Sequence, residues 1–140
     1  MKDHFNLIFD EGMPTGTAQE KGYNSKTGQY YKTSKVECMS RKFRIALMPY
    51  KPPKPSNKPI KLTVWFQWSI KKKKFWGTYK PTRPDTDNYI KEFKDVMTRL
   101  KFWNDDSQVV DEHIIKTYAE KAQISVWWEE LDEEVSEIRI

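Results

Sequence analysis

Residues 60–70, IKLTVWFQWSI, alternate almost without a break: Ile60, Leu62, Val64, Phe66, Trp68 and Ile70 fall on one side, Lys61, Thr63, Gln67 and Ser69 on the other. A β-strand sends successive side chains to opposite faces, so this pattern predicts a strand with one buried face. A slip of one residue would turn the whole apolar set into water. Such a strand needs apolar cover, and two segments can supply it. Val36, Met39, Phe43 and Leu47 recur at helical steps, behind Ser34 and Glu37 in capping-box spacing. Tyr89, Ile90, Phe93, Val96, Met97 and Leu100 form a second stripe, predicting a helix of about 13–15 residues that starts at Asp87 as its cap. The prolines of PYKPPKPSNKP (49–59) end the first helix.

Three more strands read from HFNLIF (4–9), VVDEHIIKTY (109–118) and AQISVWW (122–128). The order β–α–β–α–β–β predicts an α+β domain, a small mixed sheet covered by two helices. Residues 13–35 are polar and basic with no helical period, which predicts a long loop, and the acidic residues 129–140 either extend the last strand or fray. At 140 residues the chain is expected to be a single domain, 1–140, around one core.

No apolar run approaches the roughly 20 residues that span a bilayer, and acids stand where a signal peptide is apolar. The one cysteine, Cys38, allows no internal disulfide, so a soluble, cytoplasmic protein is expected. One cysteine and two distant histidines, His4 and His113, cannot build a zinc site of the usual kind. No phosphate-cradling glycine loop occurs, so no nucleotide cofactor is expected.

Charge is segregated. From Glu20 to Arg83 there are 17 Lys and Arg against two acids, whereas Pro84 to Ile140 carry 7 against 15. A field of one sign repels itself and is usually present for a charged partner, and basic residues interleaved with aromatics point to nucleic acid. Candidate phosphate contacts are Lys21, Lys26 and Lys32 in the long loop, then Lys71, Lys72, Lys73, Lys74, Lys80 and Arg83. Phe75, Trp76 and Tyr79 either stack on unpaired bases or bury against the domain or a second copy.

In PTRPDTDNYIK (81–91), Asp85 and Asp87 stand two apart. Asp87, Lys91 and Asp95 share one side of the second helix, away from the apolar stripe, and read alone they are a cap and ordinary ion pairs. After the helix the chain turns back through Asp105 and Asp106 into a strand, which can bring the two acidic segments together. Three converging carboxylates raise one another's pKa unless a divalent cation sits among them, and Mg²⁺ suits one or two carboxylates plus substrate phosphates. An EF-hand starting at Asp85 fails, because Ile90 and Val96 occupy the required Gly and Glu positions.

The string KPTRPDTDNYIKEFKDVMTRLKFWNDDSQVVD, Lys80 to Asp111, resembles the signature region of the RusA family of Holliday-junction resolvases. Pro84, Asp85, Asp87, Asn88, Lys91, Asp95, Trp103, Asp105, Asp106, Gln108 and Val109 carry the match. The resemblance implies a bacterial or prophage homodimer that resolves four-way DNA junctions with Mg²⁺, or Mn²⁺, in recombination and repair. Paired nicks would leave 5′-phosphate and 3′-hydroxyl ends. It further implies Asp85, Asp87 and Asp106 as metal ligands, Asp105 as a less certain one, and Lys91 as the catalytic basic residue. Other readings are a junction-binding protein without cleavage, or a general nuclease using the same acids. Leftover apolar residues, Trp127, Trp128 and Val135 among them, are candidates for a dimer face.

Overall fold

The structure is a computed structural model that describes residues 1–15, 21–32 and 34–135, without the side chains of residues 21–24, 30–32 and 34. Its main sheet has four strands, β1 (Lys2–Ile8), β4 (Ile60–Ser69), β5 (Val109–Ala119) and β6 (Gln123–Glu130), in the order β1-β6-β4-β5. β4 runs parallel to β5 and antiparallel to β6, which in turn pairs antiparallel with β1. Two helices, α1 (Ser34–Leu47) and α2 (Thr86–Arg99), complete the small α+β fold that the alternation and the two stripes predict. The Ser34 cap lies outside the described side chains.

Residues 13–35 are not one loop. β2 (Lys21–Asn24) and β3 (Gln29–Lys32) pair antiparallel, with Lys21 opposite Lys32. The turn closes at Gly28, whose φ of +72° is open to glycine at no steric cost. Four-residue strands in a polar segment are too short for apolar alternation to register in the sequence.

Ile60, Leu62, Val64 and Phe66 of β4 are fully buried. Over them Phe43 of α1 and Tyr89 and Phe93 of α2 pack edge to face, with ring centres 4.8 to 5.6 Å apart. Each such pair contributes about 0.5–1.5 kcal/mol beyond the area it buries. Trp128 belongs to this core and not to a dimer face: it is 2 % exposed and meets Phe102 and Trp103 edge to face. Trp127, one residue earlier in the strand, points to the opposite face, stacked on His4 and partly exposed.

α2 descends the sheet and β5 climbs back beside it. Lys94 of α2 reaches Glu112 of β5 at 3.0 Å, so one side of the helix looks along the β5 edge. Among the described residues no helix is long and apolar enough to cross a membrane.

Candidate active site

The β4–α2 connection is built onto the upper end of β5. Gly77 N–H donates to the Tyr118 carbonyl at 2.9 Å, Tyr118 N–H to the Thr78 carbonyl at 2.9 Å, and Lys80 N–H to the Lys116 carbonyl at 3.0 Å. Trp76 Nε1 donates to the Ile70 carbonyl at 2.8 Å, so this aromatic anchors its own loop. Tyr79 is 80 % exposed and Phe75 also reaches solvent. Lys71, Lys72, Lys73 and Lys74 are exposed on the same connection, as is Arg83. Lys80 is held: its ammonium lies 5.1 Å from the Tyr118 ring centre and 5.5 Å from that of Trp68, and donates to Thr82 Oγ1 at 2.8 Å. Lys26 is exposed in the β2–β3 turn; the side chains of Lys21 and Lys32 lie outside the described residues.

Helix α2 begins at Thr86, so the N-cap position belongs to Asp85 and not to Asp87 as the sequence suggests. Asp85 has extended backbone, its carbonyl accepts Tyr89 N–H at 3.1 Å, and its carboxylate makes no capping bond. Asp87 sits in the first turn, and its Oδ1 accepts only the neighbouring Asn88 N–H among the described bonds, at 3.0 Å. Both carboxylates are exposed at the N-terminal end of α2. Lys91 follows Asp87 by one turn, also exposed. Asp95 continues the column but is engaged by Arg99 at 3.1 Å.

A residue that sequence reasoning missed ties this corner to the sheet. Lys116 of β5 donates to the carbonyls of Thr82 and Pro84, both at 2.6 Å. Partial burial, then the nearby Lys80, lowers the Lys116 pKa, while the charge of Asp85 works in the opposite direction. Its signal in the sequence is its parity: Lys116 shares the helix-facing side of β5 with Ile114, where an apolar residue is the norm.

The second acidic segment stands elsewhere. Thr98 Oγ1 donates to Asp106, and Trp103 Nε1 donates to Thr98 Oγ1 at 2.7 Å, so a buried indole and a helix hydroxyl orient that carboxylate. Thr98 lies in the last turn of α2, eleven residues beyond Asp87, which at 1.5 Å per residue is about 16 Å along the axis. The strand gives the same answer: Lys116, which touches Pro84, is seven residues above the start of β5, or about 23 Å. Within one chain Asp106 therefore does not join Asp85 and Asp87, contrary to the convergence that the turn suggests. Among the described residues no three His, Cys, Asp or Glu side chains are grouped to hold a metal.

Asp105 has a structural task. Its Oδ1 accepts Ser107 N–H at 2.8 Å, capping the short 3₁₀ turn Asp106–Gln108, and these bonds hold its carboxyl below the usual range. Gln108 completes the corner, accepting from Asn104 and Asp105 N–H and donating to the carbonyls of Ser56 and Lys58. Gln108 and Asp105 thus shape the turn that presents Asp106.

The acids fit a divalent cation by halves. Asp85 and Asp87 offer exposed hard oxygen donors at one end of α2, sufficient for an ion that also takes water and phosphate oxygens. Asp106 offers an oriented carboxylate at the other end.

The family model described as Endodeoxyribonuclease RusA matches residues 11–127. A crossover junction endodeoxyribonuclease, RusA, of Lactococcus phage r1t is 37 % identical over 128 residues, covering 90 % of this chain and 96 % of that protein. An uncharacterized protein, YqaN, of Bacillus subtilis strain 168 is 42 % identical over 70 residues, 49 % of each chain.

Proposed function

The chain belongs to the RusA family of endodeoxyribonucleases, and from that membership we propose that it is a Mg²⁺-dependent endonuclease that resolves four-way DNA junctions in recombination and repair, acting as a homodimer. The observation that carries this reading is the exposure of Asp85, Asp87 and Lys91 on the first turns of α2, directly beside the basic connection Lys71–Arg83. Acids that bind a cation, an exposed ammonium one turn away and a surface that attracts phosphate are the parts a phosphodiesterase needs.

Asp85 and Asp87 of one chain would hold the cation together with Asp106 of a second copy, because the length of α2 keeps a chain's own Asp106 out of reach. The chemistry a cation would supply there is a lowered pKa for a bound water and an offset to charge on the scissile phosphate. Lys91 stabilises negative charge as the P–O3′ bond breaks and the attacking water bonds to phosphorus, leaving 5′-phosphate and 3′-hydroxyl ends. Lys116 positions Asp85 through the Pro84 carbonyl, and Thr98 positions Asp106. Two shared sites related by a two-fold axis match the two equivalent strands of a junction, hence paired cuts.

Mixing two inactive variants tests the reading. Asp87→Asn and Asp106→Asn each abolish cutting of a four-way junction while leaving binding intact. Re-paired after denaturation together, about half of the dimers are mixed, with one undamaged site each, so nicking returns to about a quarter of the parental level. A mixture as dead as its components means that each site lies within one chain. A parental protein that leaves junctions uncut in Mg²⁺ overturns the nuclease reading itself.

A further inference from the structure

The proline-rich segment after α1 does more than end a helix, because its far half is bonded to the turn that carries Asp106. Ser56 N–H donates to the Phe102 carbonyl at 3.1 Å. The Ser56 carbonyl accepts Gln108 Nε2 at 2.9 Å and Asn104 Nδ2 at 3.4 Å. Ser56 and Trp103 form a parallel bridge, and Lys54 and Lys101 each stand two residues ahead of it. Ser56 and Trp103 are buried, so this junction is a fixed part of the fold, whereas both lysines are exposed. Pro53 and Pro55 flank Lys54 and restrict the backbone on either side of it, so less freedom is lost when its ammonium meets a ligand.

Lys101 supplies an independent observation. It follows Leu100, the C-cap of α2, and has a φ of +68°, the only non-glycine residue in the left-handed region among the described residues. Glycine is the usual residue at that position, since a side chain there strains the backbone. A lysine in a glycine's place costs the fold something, and such strain collects at working surfaces. Lys101 N–H bonds to the Thr98 carbonyl at 3.0 Å, and the Thr98 hydroxyl donates to Asp106. No described ion pair engages Lys54 or Lys101, although Lys58, further along, lies close enough to Glu130 for their charges to interact. From Ser40 to Arg83 the chain has no acid at all.

We propose that Lys54 and Lys101 bind backbone phosphates of the DNA strand directly beside the phosphate that is cut. The inference rests on the two-chain site proposed above. There Asp106 reaches Asp85 and Asp87 of a second copy, and the basic connection 71–83 of that copy adjoins its own acids. Lys54 and Lys101 arrive with Asp106 from the opposite side. One chain therefore grips the strand before the cut and the other grips it after, each through exposed ammonium groups whose contacts release counterions.

Junction binding in EDTA across a salt series tests the contact without cleavage. The double variant Lys54→Gln, Lys101→Gly is expected to bind about tenfold or more weakly at about 0.1 M salt, with the log–log slope flatter by about two units. Its urea midpoint is expected to match or exceed the parental one, because glycine relieves the left-handed backbone. A parental slope in that variant overturns the contact, and a lowered midpoint with a parental slope assigns Lys101 to the fold alone. Lys101→Arg keeps the charge and is expected to keep the parental slope; a slope as flat as that of Lys101→Gly overturns the contact as an electrostatic one. Neutral methylphosphonates then locate it. Placed beside the position cut in Mg²⁺, they are expected to weaken the parent and leave the double variant unmoved, and a contact that maps elsewhere overturns the placement. A parent that shows the expected slopes and never cuts leaves the contact standing and sinks the nuclease reading.

Discussion

Lys116 donates to the Pro84 carbonyl at 2.6 Å, one residue before Asp85, so a β-strand lysine fixes the position of the first acid of the site. The same ammonium grips Thr82, and Thr82 Oγ1 lies 3.4 Å from the Tyr118 hydroxyl. Removing it frees the turn without touching a carboxylate. Lys116→Met is expected to raise the Mg²⁺ concentration for half-maximal cleavage by about 10–100-fold, the usual cost of a lost outer-shell partner. Junction binding in EDTA stays within a factor of a few. An unchanged metal requirement means that Asp85 needs no such support.

Thr98 does the matching work for Asp106. Its hydroxyl donates to that carboxylate and accepts from the buried Trp103 indole. Thr98→Val removes both links and leaves Trp103 Nε1 without an acceptor, at a cost of about 1–3 kcal/mol. Thr98→Ser keeps the hydroxyl. Valine is expected to lower both the urea midpoint and the apparent Mg²⁺ affinity, and serine to restore the metal affinity.

The strand 60–69 and both helices were legible because a half-buried face leaves a strict period, and the core is made of the very residues that carry it. The candidate acids were legible for a different reason, the spacing around Asp85, Asp87 and Lys91. Their arrangement is not written in that spacing. The segment between Asp87 and Asp106 is itself a helix of four turns, and a rigid rod of that length separates its ends, whatever turn follows it. Asp87 resembled a cap because it precedes the apolar stripe, whereas helix geometry starts one residue earlier, at Thr86. Lys116 shows in the sequence only as a lysine on the helix-facing side of β5, because its partners Thr82 and Pro84 lie far back along the chain, and Thr98 is an ordinary helix hydroxyl until the turn after α2 folds Asp106 and Trp103 against it.

The lysines of the β4–α2 connection divide by geometry. Lys72 and Lys73 are exposed, whereas Lys80 is committed to Trp68, Tyr118 and Thr82. Changing Lys72 and Lys73 to Ala is expected to weaken junction binding and flatten the dependence of log affinity on log salt by about one unit per lost phosphate contact. Lys80→Ala is expected to loosen the loop instead, lowering thermal stability while the slope changes less. Equal slopes for the parent and the double variant would remove that run from the phosphate contacts.

Glu130, at the end of β6, supplies a test by acid. Ser56 Oγ donates to its Oε2 at 2.6 Å, and the terminal ammonium of Met1 lies 3.1 Å from Oε1. The Ser56 bond first, then the terminal ammonium, holds the Glu130 pKa below its ordinary 4.5. A carboxyl with a lower pKa folded than unfolded binds fewer protons in the folded state, so its contribution is complete above about pH 4.5 and is lost as pH falls through the lower folded value. Ser56 is also bonded through its N–H to Phe102 and through its carbonyl to Gln108, the residue that shapes the Asp106 turn. Glu130→Gln is therefore expected to lower the urea midpoint by a constant amount near neutrality, with the gap to the parent shrinking below pH 4.5 and closing once the parental carboxyl is protonated. A gap that persists undiminished to pH 3 would assign the effect to packing instead of charge.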